Sequence, residues 1–353
     1  MWAIAVKEFR QLRRDRRTVG LMVMAPLLLL IVFGFAARFD VEEVSTIVVG
    51  EGSEAARGRL PELFEVVETM PGGRAEAVEG LREGRAAAAV VVGPEPEILL
   101  DGAELFSAQA ALRSLAGAGG PPGGPRPRVE VLFNPGLETS AVMIPAIAGM
   151  ILVFVGTLIT SLGVVRERQA GTLEQLAVMP FRPWEVFLGK VSPYFVVAVF
   201  DLVLVLGVGV LLFDVPFEGS IGTFLIGSLL FLFVTLGMGI LVSSVSQNQG
   251  QAIQLAMMLL LPQVLLSGMI FPIESMAVGV RWIAYILPLT YFIEIARGVM
   301  LRAAPLDALW PYLGLLAALG LVVFGLAVLR FRRDLGPARA GARRPAPAPE
   351  AAR

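Results

Sequence analysis

The sequence predicts an α-helical polytopic membrane protein with six transmembrane helices and an inserted extracytoplasmic α/β domain. Three observations carry that prediction. Hydrophobic residues make up 56% of the 353 and charged residues only 17%, with a mean hydropathy of +0.74, a balance that suits lipid as solvent. Six apolar runs are long enough to cross about 30 Å of hydrocarbon as helix. Between the first and second of them, about 100 residues change to a composition rich in Glu, Gly and Pro, too long for a loop and therefore a domain.

Taken in order, residues 1–18 place Trp2, Val6 and Phe9 at helical spacing opposite Lys7, Arg10, Arg13 and Arg14. That pattern predicts an amphipathic helix lying on the inner leaflet, in contact with membrane lipid; a solvated basic tail kept for topology is the alternative. The apolar run at 19–37 is longer than the core of a secretory signal and reads as an uncleaved first span. Residues 38–140 form the inserted domain. The remaining spans lie near 141–165, 191–213, 221–245, 252–271 and 309–330, with Pro262 expected to kink the fifth. Residues 331–353 read as a disordered cytoplasmic tail.

Orientation follows from the short flanks. Lys7, Arg10, Arg13, Arg14, Arg16 and Arg17 precede the first span; Arg166, Arg168, Arg182 and Lys190 lie between the second and third; Arg330, Arg332 and Arg333 follow the sixth. All three segments face the cytoplasm by the positive-inside rule. The turn holding Asp214 and Glu218 falls outside, so both termini are expected inside and the 38–140 domain outside.

Within that domain "STIVVG" and "AAAAVVVG" read as strands. "SEAARGRLPELFEVV", "GRAEAVEGLREG" and "GAELFSAQAALRSLAG" read as helices, and "VEVLFNP" as a last strand beyond the flexible "GAGGPPGGPRPR". Cysteine and histidine are both absent. Disulfides, thiolate or imidazole metal sites, and Cys/His or Ser/His catalysis are thereby excluded; the acidic residues of the outer domain are spread along helix-like stretches as solvated faces are, and no catalytic residue, metal or cofactor site is expected in this chain. No GxxxxGK[ST] motif follows a strand. A net charge of -1 argues against nucleic acid as a partner.

The stretch "RERQAGTLEQLAVMPFRPWEVFLGK", residues 166–190, is a charged island between two spans that a short turn would have joined. Thr172 and Gln175 have capping-box spacing, Gly171 precedes them and Pro180 follows, which predicts a short helix that Pro180 stops. Pro183 suits the first turn of the next helix. A capped helix between two spans is a docking element that passes a push from a soluble partner into the bundle.

This island is similar to the loop between the second and third spans of ABC-2 type ATP-binding-cassette permeases with a large outer domain. The resemblance continues through "SGMIFPIESM", "ILPLTYFIEIARGVMLR" and "LRFRRDL" and covers essentially the whole chain. It implies a coupling helix seated in a groove of a separate ATPase subunit, through Arg166, Glu167, Arg168, Gly171, Thr172, Leu173, Glu174, Gln175 and Leu176. It also implies that the N-terminal amphipathic helix touches that ATPase, that ATP and Mg are bound there and not here, and that two permease subunits, identical or not, form a dimer. A periplasmic adaptor is a further partner open to such permeases. The resemblance places residues 272–308 in an extracytoplasmic re-entrant segment, and export of an amphipathic or hydrophobic, drug-like or lipid-like solute from the plasma (bacterial inner) membrane is what it implies. The alternatives are an ATPase-independent secondary transporter or channel, disfavoured by few intramembrane charges and no inverted repeat, and a membrane-anchored sensor or enzyme using the outer domain.

Four polar residues are candidates for a translocation path or gate. Asp201 lies at membrane depth, as a path-lining group or an interhelical hydrogen-bonding contact. Glu294 and Arg297, at i and i+3, share a helix face and suit a structural ion pair. Gln263, with Gln254, Ser243 and Ser244, is polar enough to bond across helices, and the pairs Gly207/Gly209 and Gly237/Gly239 suit close helix approach.

Overall fold

The computed structural model describes residues 43–53, 57–58, 60–117, 127–171 and 183–335, with isolated positions at 20, 24, 27 and 41. The expected amphipathic helix of 1–18, with Trp2, Val6, Phe9, Arg10, Arg13 and Arg14, lies outside the described residues. So do most of the 19–37 span and the tail beyond 335.

Residues 44–132 form a five-stranded sheet. β1 (Val44–Val49), β2 (Phe64–Met70), β3 (Ala88–Val91), β4 (Glu97–Asp101) and β5 (Arg128–Leu132) are arranged in the order β2-β1-β3-β4-β5. β1 is parallel to both β2 and β3, β3 and β4 form an antiparallel hairpin, and β5 is parallel to β4. The crossovers are α1 (Arg74–Arg82) and α2 (Leu105–Gly117). Strand alternation sends Val44 and Val48 of β1, with Ala88, Val90, Ile98 and Leu100, towards Ala108 and Ala111 of α2. Ile47, Val49, Ala89 and Leu99 face Ala77 and Leu81 of α1. A helix on each face explains why the central strands are apolar on both sides.

Two readings of this region are corrected. "SEAARGRLPELFEVV" was expected as helix, but its last residues begin β2, because Phe64 and Val66 fill the sheet edge beside β1. "EILLD" was not anticipated as a strand; it is β4, apolar on both faces and closed by a buried Asp101.

Among the described residues, five helices are long and apolar enough to cross a membrane: Thr139–Gln169, Ser192–Phe213, Ile221–Val245, Gln249–Leu266 and Leu306–Arg330. The first consists of α3 (Thr139–Phe154), a π-helical turn (Val155–Ile159) and α4 (Thr160–Gln169). Then follow α5 (Pro183–Phe213), α6 (Ile221–Val245), α7 (Gln249–Leu266), α8 (Val278–Ala284), α9 (Pro288–Met300) and α10 (Leu306–Leu335). The run expected at 252–271 starts earlier, because the Asn248 side chain accepts from Gln251 N–H as an N-cap. It stops at Leu266, where residues 267–276 turn back towards α8.

α6 is the central post of the bundle, packed against α3, α4, α5, α9 and α10. Phe231 stacks on Phe292 of α9 with centroids 4.4 Å apart, and Phe224 meets Phe292 edge-on. A Cβ on Gly239 would lie 2.8 Å from the Thr157 carbonyl oxygen and 2.9 Å from that of Gly156, so glycine lets α6 touch the backbone of the π turn. Of the two glycine pairs, Gly237 and Gly239 meet neighbouring helices, whereas Gly207 has open space around it.

Candidate functional site

Two arginines at opposite ends of the bundle organise the polar chemistry. The helix from Thr139 to Gln169 joins them, spanning about 45 Å at about 1.5 Å per residue.

At the end where α4 stops, the Arg168 guanidinium donates to the carbonyls of Ser243 and Ser246, both at 2.9 Å. These carbonyls belong to the last turn of α6, where helix carbonyls lack internal partners and the macrodipole favours a cation. Gln249 at the start of α7 donates to Gln169 at 3.0 Å. The end of α4 is thus tied to both α6 and α7. Arg166 and Glu167 continue the same last turn, and Gly171, at φ +75, ends the helix in the left-handed region that a side chain disfavours. Thr172, Leu173, Glu174, Gln175 and Leu176 lie outside the described residues. The Ser243 and Ser244 hydroxyls, expected to reach across helices, bond back to the carbonyls of Ile240 and Leu241 in their own helix. A hydroxyl three residues on meets that carbonyl without leaving the helix.

At the other end, Arg302 sits in the turn between α9 and α10 and reaches into the sheet unit. Its Nε donates to Asp101 Oδ2 at 2.7 Å and an Nη to Glu104 Oε1 at 2.8 Å, while Glu294 lies 3.7 Å from its other Nη. Arg297 lies 3.6 Å from Glu104 and donates to the Gly268 carbonyl at 3.2 Å. Asp101 is wholly buried, and Arg302 and Arg297 nearly so. Asp101 Oδ1 also accepts from Ala103 N–H at 2.8 Å. Burial pushes the Asp101 carboxyl up to about 6 against the pull of Arg302. Burial works against the Arg302 charge, but Asp101, Glu104 and Glu294 together outweigh it and hold the guanidinium above its usual range. Burial thus sets the direction for Asp101, and the surrounding carboxylates set it for Arg302. Beside the arginines lies a cavity of about 220 Å³, lined among others by Ser45, Ser107, Glu274, Tyr291 and Glu294.

The expected Glu294–Arg297 pair does not form. Each turns to a stronger partner off its own helix, Glu294 to Arg302 and Arg297 to Glu104, because the sheet unit brings its carboxylates between them. Asp201 is half-buried on α5 and takes no hydrogen bond or ion pair among the described residues. Gln263 is fully buried on α7, and neither of its amide atoms has a hydrogen-bond partner. The four gate candidates therefore separate: Glu294 and Arg297 share the junction, and Asp201 and Gln263 stand apart on α5 and α7. Asp101, Glu104 and Arg302 are not among the functional candidates read from sequence, where Glu104 marks only a helix start. The signal available was "EILLDG", an apolar strand that runs straight into an aspartate.

A bundle of long apolar helices with arginine-bound ends defines a multi-pass membrane protein, and a family match makes the class specific. Residues 16–329 match the ABC-2 family transporter protein model, and the chain belongs to that family. It is thus a membrane permease subunit of an ABC transporter. The chain is 28% identical over 367 residues to the probable multidrug ABC transporter permease YbhR of Escherichia coli, covering 95% of this chain and 99% of that one. It is 29% identical over 371 residues to the probable multidrug ABC transporter permease YbhS of the same organism, covering 94% and 97%. The Escherichia coli inner membrane transport permease YhhJ is 36% identical over 213 residues, 58% of this chain and 55% of that protein.

Proposed function

We propose that this permease exports an amphipathic or hydrophobic solute across a bacterial inner membrane, driven by ATP hydrolysis on a separate ATPase subunit that docks on residues 166–190. The observation that carries this reading is the Arg168 tie. A push on the segment following Gly171 reaches α4 directly and, through Arg168 and Gln169, the ends of α6 and α7. The glycine contact between α6 and the π turn makes those helices move as one body, since backbone packed on backbone has no side chain to absorb a shift.

The remaining features complete the proposal. Residues 19–37 supply a sixth span, both termini are cytoplasmic, the 38–140 domain is extracytoplasmic, and residues 272–308 dip into the outer side of the membrane. Trp2, Val6, Phe9, Arg10, Arg13 and Arg14 hold an interfacial helix beside the ATPase, and Thr172 to Leu176 form the coupling helix. Two such subunits form the transport unit, with ATP and Mg bound by the ATPase alone. The multidrug names of YbhR and YbhS favour a drug-like solute.

The test is a pull-down of the ATPase in detergent with a Leu173→Asp/Leu176→Asp permease. Charge placed in a packed groove should abolish recovery, while permease levels in the membrane stay normal. Full recovery with the double variant would remove the docking role of this segment.

A further inference from the structure

We propose that the junction between the sheet unit and α9 is a proton-operated latch, with Glu294 as its proton-binding group. The sheet unit seats on α9 when Glu294 carries a proton and loosens when it ionises.

Charge count and geometry lead to this. Arg302 and Arg297 are matched by Asp101 and Glu104, which take the close contacts at 2.7, 2.8 and 3.6 Å. Glu294 is the carboxylate left over, at 3.7 Å from an arginine already committed twice. The other groups around it add little positive charge. From the sheet unit come Glu104 and, on the cavity wall, Glu43; from the turn before α8 comes Glu274, whose backbone carbonyl accepts from Arg281 of α8; from α10 comes Tyr312. Tyr285 and Tyr291 line the same cavity, and the Tyr291 hydroxyl donates to the Tyr285 carbonyl. α3, α6 and α7, which also pack on α9, contain no titratable residue. Ionised, Glu294 leaves the closed junction with an unmatched negative charge. Protonated, it leaves two arginines facing two carboxylates.

Burial, reinforced by Glu104 and opposed by Arg302 and Arg297, raises the Glu294 carboxyl from 4.5 to about 7. The sign follows from linkage. A carboxyl whose value is higher in the closed state favours closure fully below about 4.5, and that contribution is lost as pH rises through about 7. Glu294 lines the 220 Å³ cavity with 24% of its side chain exposed, so a proton can reach it while the junction is closed.

The chain has no cysteine, so nitroxides can be placed singly at Ala116→Cys on α2 and Asp307→Cys on α10, both exposed in the structure. Inter-label distances are then measured on the purified full chain in lipid nanodiscs. The wild-type background should give one narrow distribution at pH 6.5, where Asp101 is still mostly ionised, and a broader one at pH 8.5. Glu294→Gln, neutral at every pH, should stay narrow at both. A wild-type distribution that does not change with pH, or that narrows on raising it, overturns the latch. So does a Glu294→Gln protein that responds to pH as the wild type does. No ATPase is present, so failure here is independent of failure of the coupling reading.

Discussion

Arg168 and Arg302 do opposite things with the same guanidinium. Arg168 binds neutral carbonyls at the end of one helix, where the helix dipole supplies the attraction and neither partner needs to shed a charge. Arg302 binds carboxylates across the boundary between the sheet and the bundle, with Asp101 wholly buried. An arginine on carbonyls ties helices together and leaves no charge behind if it is removed. An arginine on buried carboxylates holds two units together only while the charges balance, and its loss strands an anion. The first arrangement suits a rigid lever, the second a joint that can open.

The largest expected effect tests the second half of that contrast. Arg302→Leu leaves Asp101 buried without its partner and should lower stability by about 3–5 kcal/mol, seen as a drop in the melting midpoint of the detergent-purified chain. Asp101→Asn in the same background should recover part of it. An Arg302→Leu midpoint equal to wild type would mean that the junction is hydrated and not closed.

Arg168→Ala removes hydrogen bonds from a charged donor to two helix-end carbonyls, worth about 1.5–3 kcal/mol. Its stability loss should be the smaller of the two, with no rescue by a second substitution. Near the same end, Gly239→Val forces a branched side chain against the Thr157 and Gly156 carbonyls and should cost about 1–3 kcal/mol. If it folds as stably as wild type, α6 and the π turn are not the single body the lever requires.

The smallest effect marks the limit of the comparison. Arg74 pairs with Glu97 and Glu130 on the surface of the sheet unit, its side chain 42% exposed. Arg74→Ala should change the melting midpoint by the equivalent of less than about 1 kcal/mol. A loss approaching that of Arg302→Leu would show that burial is not what separates the two kinds of site.

What the sequence made legible follows the same division. Elements that depend on one strong local pattern were readable: the run at 221–245 is α6 residue for residue, because twenty-five apolar or small residues leave one arrangement that buries its amides in lipid. "AAAAVVVG" likewise reads as the buried strand it is. "EILLD" did not read as a strand, since Glu97 and Asp101 at its ends disguise an apolar core of three residues. The Glu294–Arg297 spacing pointed to a local pair and was misleading for a physical reason: a local i,i+3 pair is worth only a few tenths of a kcal/mol. It yields when the fold brings Glu104 and Arg302 within reach from nearly 200 residues apart, as their contact across the junction shows. Arg168 lay in a segment chosen for its charge, but it also binds two backbone carbonyls of a distant helix, and no side-chain pattern announces those.

The central claim is that force enters at residues 166–190 and crosses to α6 through Arg168 and to α7 through Gln169. The most direct measurement reconstitutes the permease with the proposed ATPase subunit in proteoliposomes and compares Arg168→Ala with wild type for ATPase recovery and for transport-stimulated ATP hydrolysis. The account predicts normal ATPase recovery with hydrolysis no longer stimulated by transport substrate, because docking is intact and the lever is cut. Full stimulation in the Arg168→Ala permease would contradict it.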